Sequence, residues 1–215
     1  MRTAPLRHRG DTDQLNLELQ LPNHVLTPAT DEKGFVELMV KHYPGGKQST
    51  HIHSLQPGDK LTFLGPIPEV KWTANKHPHV ALIAGGAGIT PMYQLARGIL
   101  KNPADQTRIS LVWGVNTDSD LFLGDELKAL EKQYPGRINV TYVVATPDAG
   151  SPHQKGFVTK QILEKVGLSP SSEKNKGTQV LVCGPPPMEA ALKGTKKAPG
   201  VLGELGYTAA QISSF

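Results

Sequence analysis

Hydrophobic and polar positions follow two different rhythms along this chain, and the change falls near residue 75. In residues 15–21, Leu15, Leu17, Leu19 and Leu21 alternate with polar neighbours, the period-two signature of a half-buried strand. Phe35-Val36-Glu37-Leu38-Met39-Val40 predicts a second strand within 34–41, and the turn Gln56-Pro57-Gly58-Asp59 leads into a third over 60–64. Short strands separated by Pro/Gly turns predict a small antiparallel barrel or sandwich. Residues 72–78 read as a linker.

Beyond the linker the order becomes strand, turn, helix. A buried strand over 79–84 is followed by a helix over 91–100, a strand over 109–113 and, after an acidic loop, a helix around 123–134. A third strand at 138–144, a helix at 159–166 and a fourth strand at 178–183 complete the alternation, with a polar loop over 169–177. Such alternation predicts a parallel sheet covered on both faces, whose ligand lies beyond the carboxyl ends of its strands. The expected architecture is therefore α+β in two domains, an antiparallel β-barrel over 1–75 followed by an α/β parallel-sheet nucleotide-binding domain over 76–215.

Composition narrows the function classes. A content of 38% hydrophobic and 20% charged residues is that of a soluble globular protein. The longest nearly uncharged apolar run, 80–89, contains three glycines and has half the ~20 residues a membrane helix needs, so no membrane segment is expected. Residues 1–9 hold three arginines and no acid; without an apolar h-region they are not a secretory signal, and they hint only weakly at an organellar address. The single cysteine, Cys183, excludes an internal disulfide framework and a cysteine-based zinc site. A net charge of +4 and a pI near 9.1 favour anionic partners. Much of the excess lies in 71–76 and 193–197, and with no recognition module beside it the charge reads as a solvated surface, not a nucleic-acid site.

Three stretches could carry chemistry. In Ala84-Gly85-Gly86-Ala87-Gly88-Ile89-Thr90-Pro91-Met92 a buried strand runs into three glycines and then a helix. Glycine permits positive φ and close approach of a ligand. Thr90 is expected as N-cap and Pro91 as first helical residue, and the amides and dipole of such a helix start suit a phosphate. The spacing is not Gly-x-Gly-x-x-Gly, and a tight turn without a ligand fits the same letters. Cys183-Gly184-Pro185-Pro186-Pro187-Met188 ends the last predicted strand, where prolines stop the strand in a rigid turn and hold Cys183 and Met188 beside the mouth into which the glycine turn opens. Tyr43-Pro44-Gly45-Gly46-Lys47-Gln48-Ser49 offers successive amides, a lysine and a hydroxyl that could grip a pyrophosphate, although an ordinary glycine hairpin explains it equally. His51-x-His53 and His77-x-His79 could pair imidazoles on a strand face, but no acidic or cysteine ligand stands beside them; no metal site is expected, and the histidines read as surface or core residues.

Taken in order, these features resemble one family. Gly34-Phe35-Val36-Glu37-Leu38-Met39-Val40-Lys41, Tyr43-Pro44-Gly45-Gly46, Ser49, His51-Ile52-His53-Ser54-Leu55-Gln56-Pro57-Gly58-Asp59, Gly65-Pro66-Ile67, residues 84–92, residues 183–188 and Glu204-Leu205-Gly206-Tyr207-Thr208 through Phe215 are similar to fungal NADH–cytochrome b5 reductases of the mitochondrial type. The resemblance covers nearly everything from Thr27 onward. It implies a ferredoxin-reductase-like fold, FAD and NADH as cofactors, and electron transfer to cytochrome b5 or a similar acidic haem protein by a monomer. By the same likeness the location is the mitochondrion, at the outer membrane or intermembrane space, although the family's N-terminal anchor has no counterpart here. Thr27 and Pro28, then Tyr43, Gly45, Gly46, Lys47, Gln48 and Ser49, are implied to hold FAD, the last four at its pyrophosphate. Gly85, Gly86, Ala87, Gly88, Thr90 and Pro91 are implied to lie near flavin and nicotinamide. Cys183, Gly184, Pro185, Pro186 and Met188 are implied to shape the nicotinamide pocket, with Cys183 and Thr90 as the catalytic positions. Lys47 matches a basic position suited to the partner, with Lys71 and Lys76 as looser candidates.

The chain departs from the family at three places. The flavin signature Arg-x-Tyr-Thr/Ser-Pro survives only as Thr27-Pro28, directly after His24-Val25-Leu26, so a truncated barrel with unpaired strand edges is expected. Ala87 stands where the family has threonine. Ala145 stands where the family has the aspartate that binds the adenosine ribose, with Asp148 as a possible substitute. The alternative to a reductase is an NAD-binding remnant without flavin and without activity.

Overall fold

The computed structural model describes residues 40–61, 71–169, 177–195 and 198–215. The predicted strand at 15–21, most of those at 34–41 and 60–64, and the Thr27–Pro28 motif lie outside these, as does the interior of the 169–177 loop. In the first half the described element is the helix α1 (Lys47–Ser54), preceded by a turn in which Gly45 has φ +76°. His51 and His53 therefore sit on a helix, not on one face of a strand. Both are exposed, and His53 Nε2 bonds the Val40 carbonyl oxygen at 2.9 Å.

The second half follows the predicted alternation. Strands β1 (His79–Gly85), β2 (Arg108–Val115), β3 (Ile138–Val144), β4 (Gln154–Lys155), β5 (Gln179–Cys183) and, after the short antiparallel ladder of β6 (Gly194–Thr195) and β7 (Ala198–Pro199), β8 (Ile212–Ser214) build the structure. All but β6 and β7 form one parallel sheet in the order β4-β3-β2-β1-β5-β8. Every residue of β1 is buried, as a central strand covered on both faces requires. Alternation along the strands divides the core. Val80, Leu82 and Ala84 face the helices α2 (Ile89–Lys101) and α3 (Gly124–Gln133), while Ala81 and Ile83 face α4 (Lys160–Lys165), α5 (Pro186–Lys193) and α6 (Val201–Glu204).

The linker is not loose. Trp72 Nε1 donates to Asp105 Oδ2 at 2.8 Å, and the Asn75 and Thr107 amides donate to Asp105 Oδ1 at 3.3 and 3.0 Å. Burial alone would raise the Asp105 pKa, but these bonds outweigh it and hold the carboxyl below its ordinary range. Among the described residues no helix is long and apolar enough to cross a membrane.

Candidate nucleotide-binding site

From β1 the chain moves outward through β2, β3 and β4, then returns to the other side of β1 as β5. The topology reverses between β1 and β5, and their carboxyl ends open a crevice of the kind that takes nucleotides. Gly85-Gly86-Ala87-Gly88 leaves β1 there, and Cys183-Gly184-Pro185 leaves β5 beside it, with Ala84 and Cys183 in register.

The two turns interlock, and that explains most of the glycines. A Cβ on Gly88 would overlap the Cys183 carbonyl, and one on Gly85 would overlap Met188 Sδ. Gly184 is similarly closed in, its Cβ position lying 3.1 Å from Met188 Sδ and 3.2 Å from Gly85 Cα. Gly86 differs: its φ is +52° and the space its side chain would take is open. Trp113, fully buried on β2, donates from Nε1 to the Gly86 carbonyl at 2.9 Å and fixes the turn from beneath. Gly86 is thus the glycine of the four at which a ligand can approach bare backbone.

The helix start differs from expectation. Residues Gly86–Gly88 form a 3-10 turn that runs straight into α2, so Gly88, with φ −61° and ψ −6°, is the N-cap. Thr90 lies inside the first turn, and its hydroxyl donates to the Ala87 carbonyl at 3.0 Å instead of accepting an amide. Pro91, also inside that turn, has no amide, and the Ile89 amide is used within the 3-10 turn. On the other side, Pro185 is the extended N-cap of α5 and Pro186 and Pro187 occupy its first turn, where proline is tolerated. The rigid turn expected at the prolines is therefore the start of a helix.

A cleft of about 390 Å³ opens beside the interlocked turns, walled by Cys183, Gly184, Glu189, Ala190, Lys193 and Phe215. Lys193, expected as part of a solvated basic surface, instead pairs with Glu189 and bonds the Ser214 hydroxyl.

The far end of the crevice lies beyond β2 and β3. Asp118 organises it: Oδ2 accepts the Asp148 amide at 2.6 Å and Oδ1 accepts the Ser151 hydroxyl at 2.7 Å, with His153 Nε2 3.7 Å away. The Asp148 amide and Ser151 hydroxyl hold the Asp118 carboxyl below its ordinary range. Ala145 follows β3 at the crevice edge, its amide bonded to the Val115 carbonyl, and Asp148 is exposed. Phe157, after Gly156, is 73% exposed. Neither Asp118 nor Phe157 was legible as a site residue, because an acid hub and an exposed ring have no sequence signature without the loop that assembles them.

In the first half Lys47 and Gln48 are exposed in the first turn of α1. Ser49 is turned inward; its Oγ accepts the Tyr43 amide at 3.1 Å and stands within reach of the Tyr43 and Gly46 carbonyls. Lys41 Nζ pairs with Asp120 Oδ1 at 3.1 Å and so joins α1's approach segment to the loop after β2. His79, at the amino end of the central strand β1, is buried between Thr178 and Ser110 hydroxyls, each 2.9 Å from a ring nitrogen, and burial with the nearby Arg108 charge lowers its pKa to about 4.

The model of the oxidoreductase NAD-binding domain matches residues 82–194, more than half of the chain and both turns of this crevice. The chain belongs to the oxidoreductase NAD-binding domain family. Residues 11–72 match the oxidoreductase FAD-binding domain, so the two matches give NAD and FAD as cofactors in a ferredoxin-reductase-like arrangement. The chain is 50% identical over 198 residues to NADH-cytochrome b5 reductase 2 of Pyricularia oryzae, covering 88% of this chain and 59% of that protein. To the protein of the same name from Botryotinia fuckeliana it is 48% identical, covering 88% and 56%. The chain thus spans less than two thirds of the length of these relatives. Among solved structures, the cytochrome b5 reductase domain of Ulva prolifera nitrate reductase superposes with a TM-score of 0.76 at 31% identity, covering 88% of this chain and 77% of that one.

Proposed function

We propose that this chain is a flavin-dependent oxidoreductase that passes electrons from NADH to cytochrome b5 or a similar haem acceptor. The observation that carries the reading is the interlock of the 85–88 and 183–188 turns at the switch point of the sheet, with bare backbone at Gly86 and an accessible cleft beside Cys183. When bound, FAD supplies acceptance of two electrons from NADH and their release one at a time.

The chain's own residues supply position. The 3-10 turn, fixed by Trp113, presents Gly86 to the dinucleotide. Cys183, held in register with Ala84 by the ladder, walls the cleft where the nicotinamide rests, and Met188 packs the turn from behind. The loop tied by Asp118 receives the adenosine end, with exposed Phe157 as a ring on which a base can stack. Lys47 and Gln48, exposed in the first turn of α1, would hold the flavin pyrophosphate; Ser49 contributes by holding the Tyr43–Gly46 turn. The acceptor is an acidic haem protein drawn to the basic surface around Lys47, Lys71 and Lys76, the enzyme acts as a monomer, and its place is the mitochondrion.

A second reading, an NAD-binding protein without flavin, is favoured by the shortened flavin signature at Thr27-Pro28 and by the Ser49 hydroxyl being used inside its own turn. One experiment separates them. The purified chain is incubated with FAD, desalted, and mixed with NADH and cytochrome b5. Retained flavin absorbance with NADH-dependent haem reduction supports the reductase. NADH binding without flavin retention supports the second reading.

A further inference from the structure

The cleft beside Cys183 is also lined by Phe215, which follows the three-residue edge strand β8. A strand that short has little to hold its end. Its backbone ladder reaches only Val182↔Ser214, followed by a 3.2 Å bond from the Phe215 amide to the Val182 carbonyl. The Gln179 side chain ties its middle at Ser213. The tie at its last residue comes from α5: Lys193 Nζ donates to Ser214 Oγ. The same ammonium pairs with Glu189 one turn earlier, and Glu189 Oε1 accepts the Gly184 amide through a long bond of 3.4 Å.

One continuous set of polar contacts therefore runs from the turn after Cys183, through Glu189 and Lys193 on α5, to the residue before Phe215. It joins all three walls of the cleft. Both charged side chains are largely shielded, at 19% exposure for Glu189 and 33% for Lys193, so water screens the pair less than it would an exposed one. Lys193 has enough donors to serve both partners. Its charge is matched locally by Glu189, so the pair sets the width of the cleft without adding net charge to it.

We propose that Lys193, braced by Glu189, is a positioning residue that holds Phe215 against Cys183 and so sets the slot for the nicotinamide ring. This inference rests on the reading of the cleft as the nicotinamide site. Lys193 does not touch the reacting atoms; it acts through Ser214 and Phe215. Loosening the tie frees the end of β8, widens the slot and weakens the grip on the ring, while the adenosine end is untouched because the Asp118 loop lies across the sheet.

The test compares two ligands on the full chain: a tetrahydronicotinamide analogue of NADH, which cannot donate hydride, and ADP-ribose, which lacks the ring. Binding is measured by calorimetry for the parent and for Lys193→Met, Lys193→Arg and Ser214→Ala. Lys193→Met is expected to weaken the analogue about tenfold, with ADP-ribose unchanged within about twofold, and Lys193→Arg to restore most of the loss. Ser214→Ala, which removes only the acceptor, should shift the analogue in the same direction by a smaller factor and serves if Lys193→Met does not fold. Equal weakening of both ligands would mean a general structural role and overturn the inference. So would unchanged binding of the analogue in Lys193→Met and Ser214→Ala. If the parent binds the analogue no better than ADP-ribose, the ring does not use this cleft, and the underlying reading fails together with the inference.

Discussion

Two glycine-rich turns of this chain each lead into a helix, yet they use glycine for different reasons. At 85–88 two of the three glycines, Gly85 and Gly88, are demanded by another part of the molecule, since the backbone and side chains of 183–188 occupy the space a Cβ would need. At 45–46 nothing crowds Gly45, and its φ of +76° alone calls for glycine. One turn is a tertiary joint and the other a local bend. The lesson is that the same letters can report a distant contact or a backbone angle, and only the neighbours decide.

The sharpest way to break this comparison is a matched pair of substitutions. Gly88→Ala drives a methyl into the Cys183 carbonyl, with backbone on both sides and no flexible side chain to yield, and is expected to cost at least about 3 kcal/mol. Gly45→Ala meets no atoms and should cost only about 1 kcal/mol, for the left-handed backbone. Urea unfolding of the two variants measures both; similar losses would mean the interlock is not the reason for Gly88.

The halves should also differ toward acid. His79 is buried in the nucleotide half, whereas His51 and His53 are exposed on α1. The unfolded chain protonates His79 near pH 6.5, the folded one only near pH 4. Between those values the unfolded state holds more protons, so stability is full above pH 6.5 and falls as pH drops toward 4, by up to about 3 kcal/mol. Unfolding followed between pH 7 and 4 should show this slope, and His79→Gln should flatten it.

Smaller effects sharpen the picture of the crevice. Cys183→Ser keeps size and register but changes the wall of the slot, and should slow flavin reduction by NADH about tenfold while changing NADH affinity less, because misplacement costs rate before binding. Stopped-flow reduction over a range of NADH concentrations separates the two. Least of all, Ala145→Asp should weaken NADPH by a factor of about five and leave NADH within about twofold, since an added carboxylate repels the extra phosphate. Titration with both nucleotides is the check. A parent protein that already rejects NADPH would show that Asp148 or Asp118 supplies the repulsion.

Much of the nucleotide half was legible from pattern. Ile138–Val144 has the predicted bounds, and β1, β2 and β5 differ from expectation by one or two residues at their ends, because an apolar run closed by glycine or proline leaves few alternatives. The helix cap was misplaced, since the preference of threonine for caps is local whereas the 3-10 turn exists because Trp113 and Cys183 pack against it. Helix α5 was hidden behind three prolines that read as a stop but fit a first turn. Strand β8 was hidden because Ile212-Ser213-Ser214 has no period to detect; it is a strand because β5 offers it an edge.

The alternation of strand and helix from β1 through β5 and the chemistry available at two turns belonged to the chain alone, because burial periodicity and the backbone limits of glycine and proline act over a few residues. The meeting of those turns, the use of Ser49 and Thr90 inside their own turns, the gathering of a loop by Asp118 and the tie from Glu189 through Lys193 to Ser214 were decided only in three dimensions. Each depends on which atom of a remote segment fills a space or accepts a proton, and contacts between residues far apart in the chain leave no periodic trace within it.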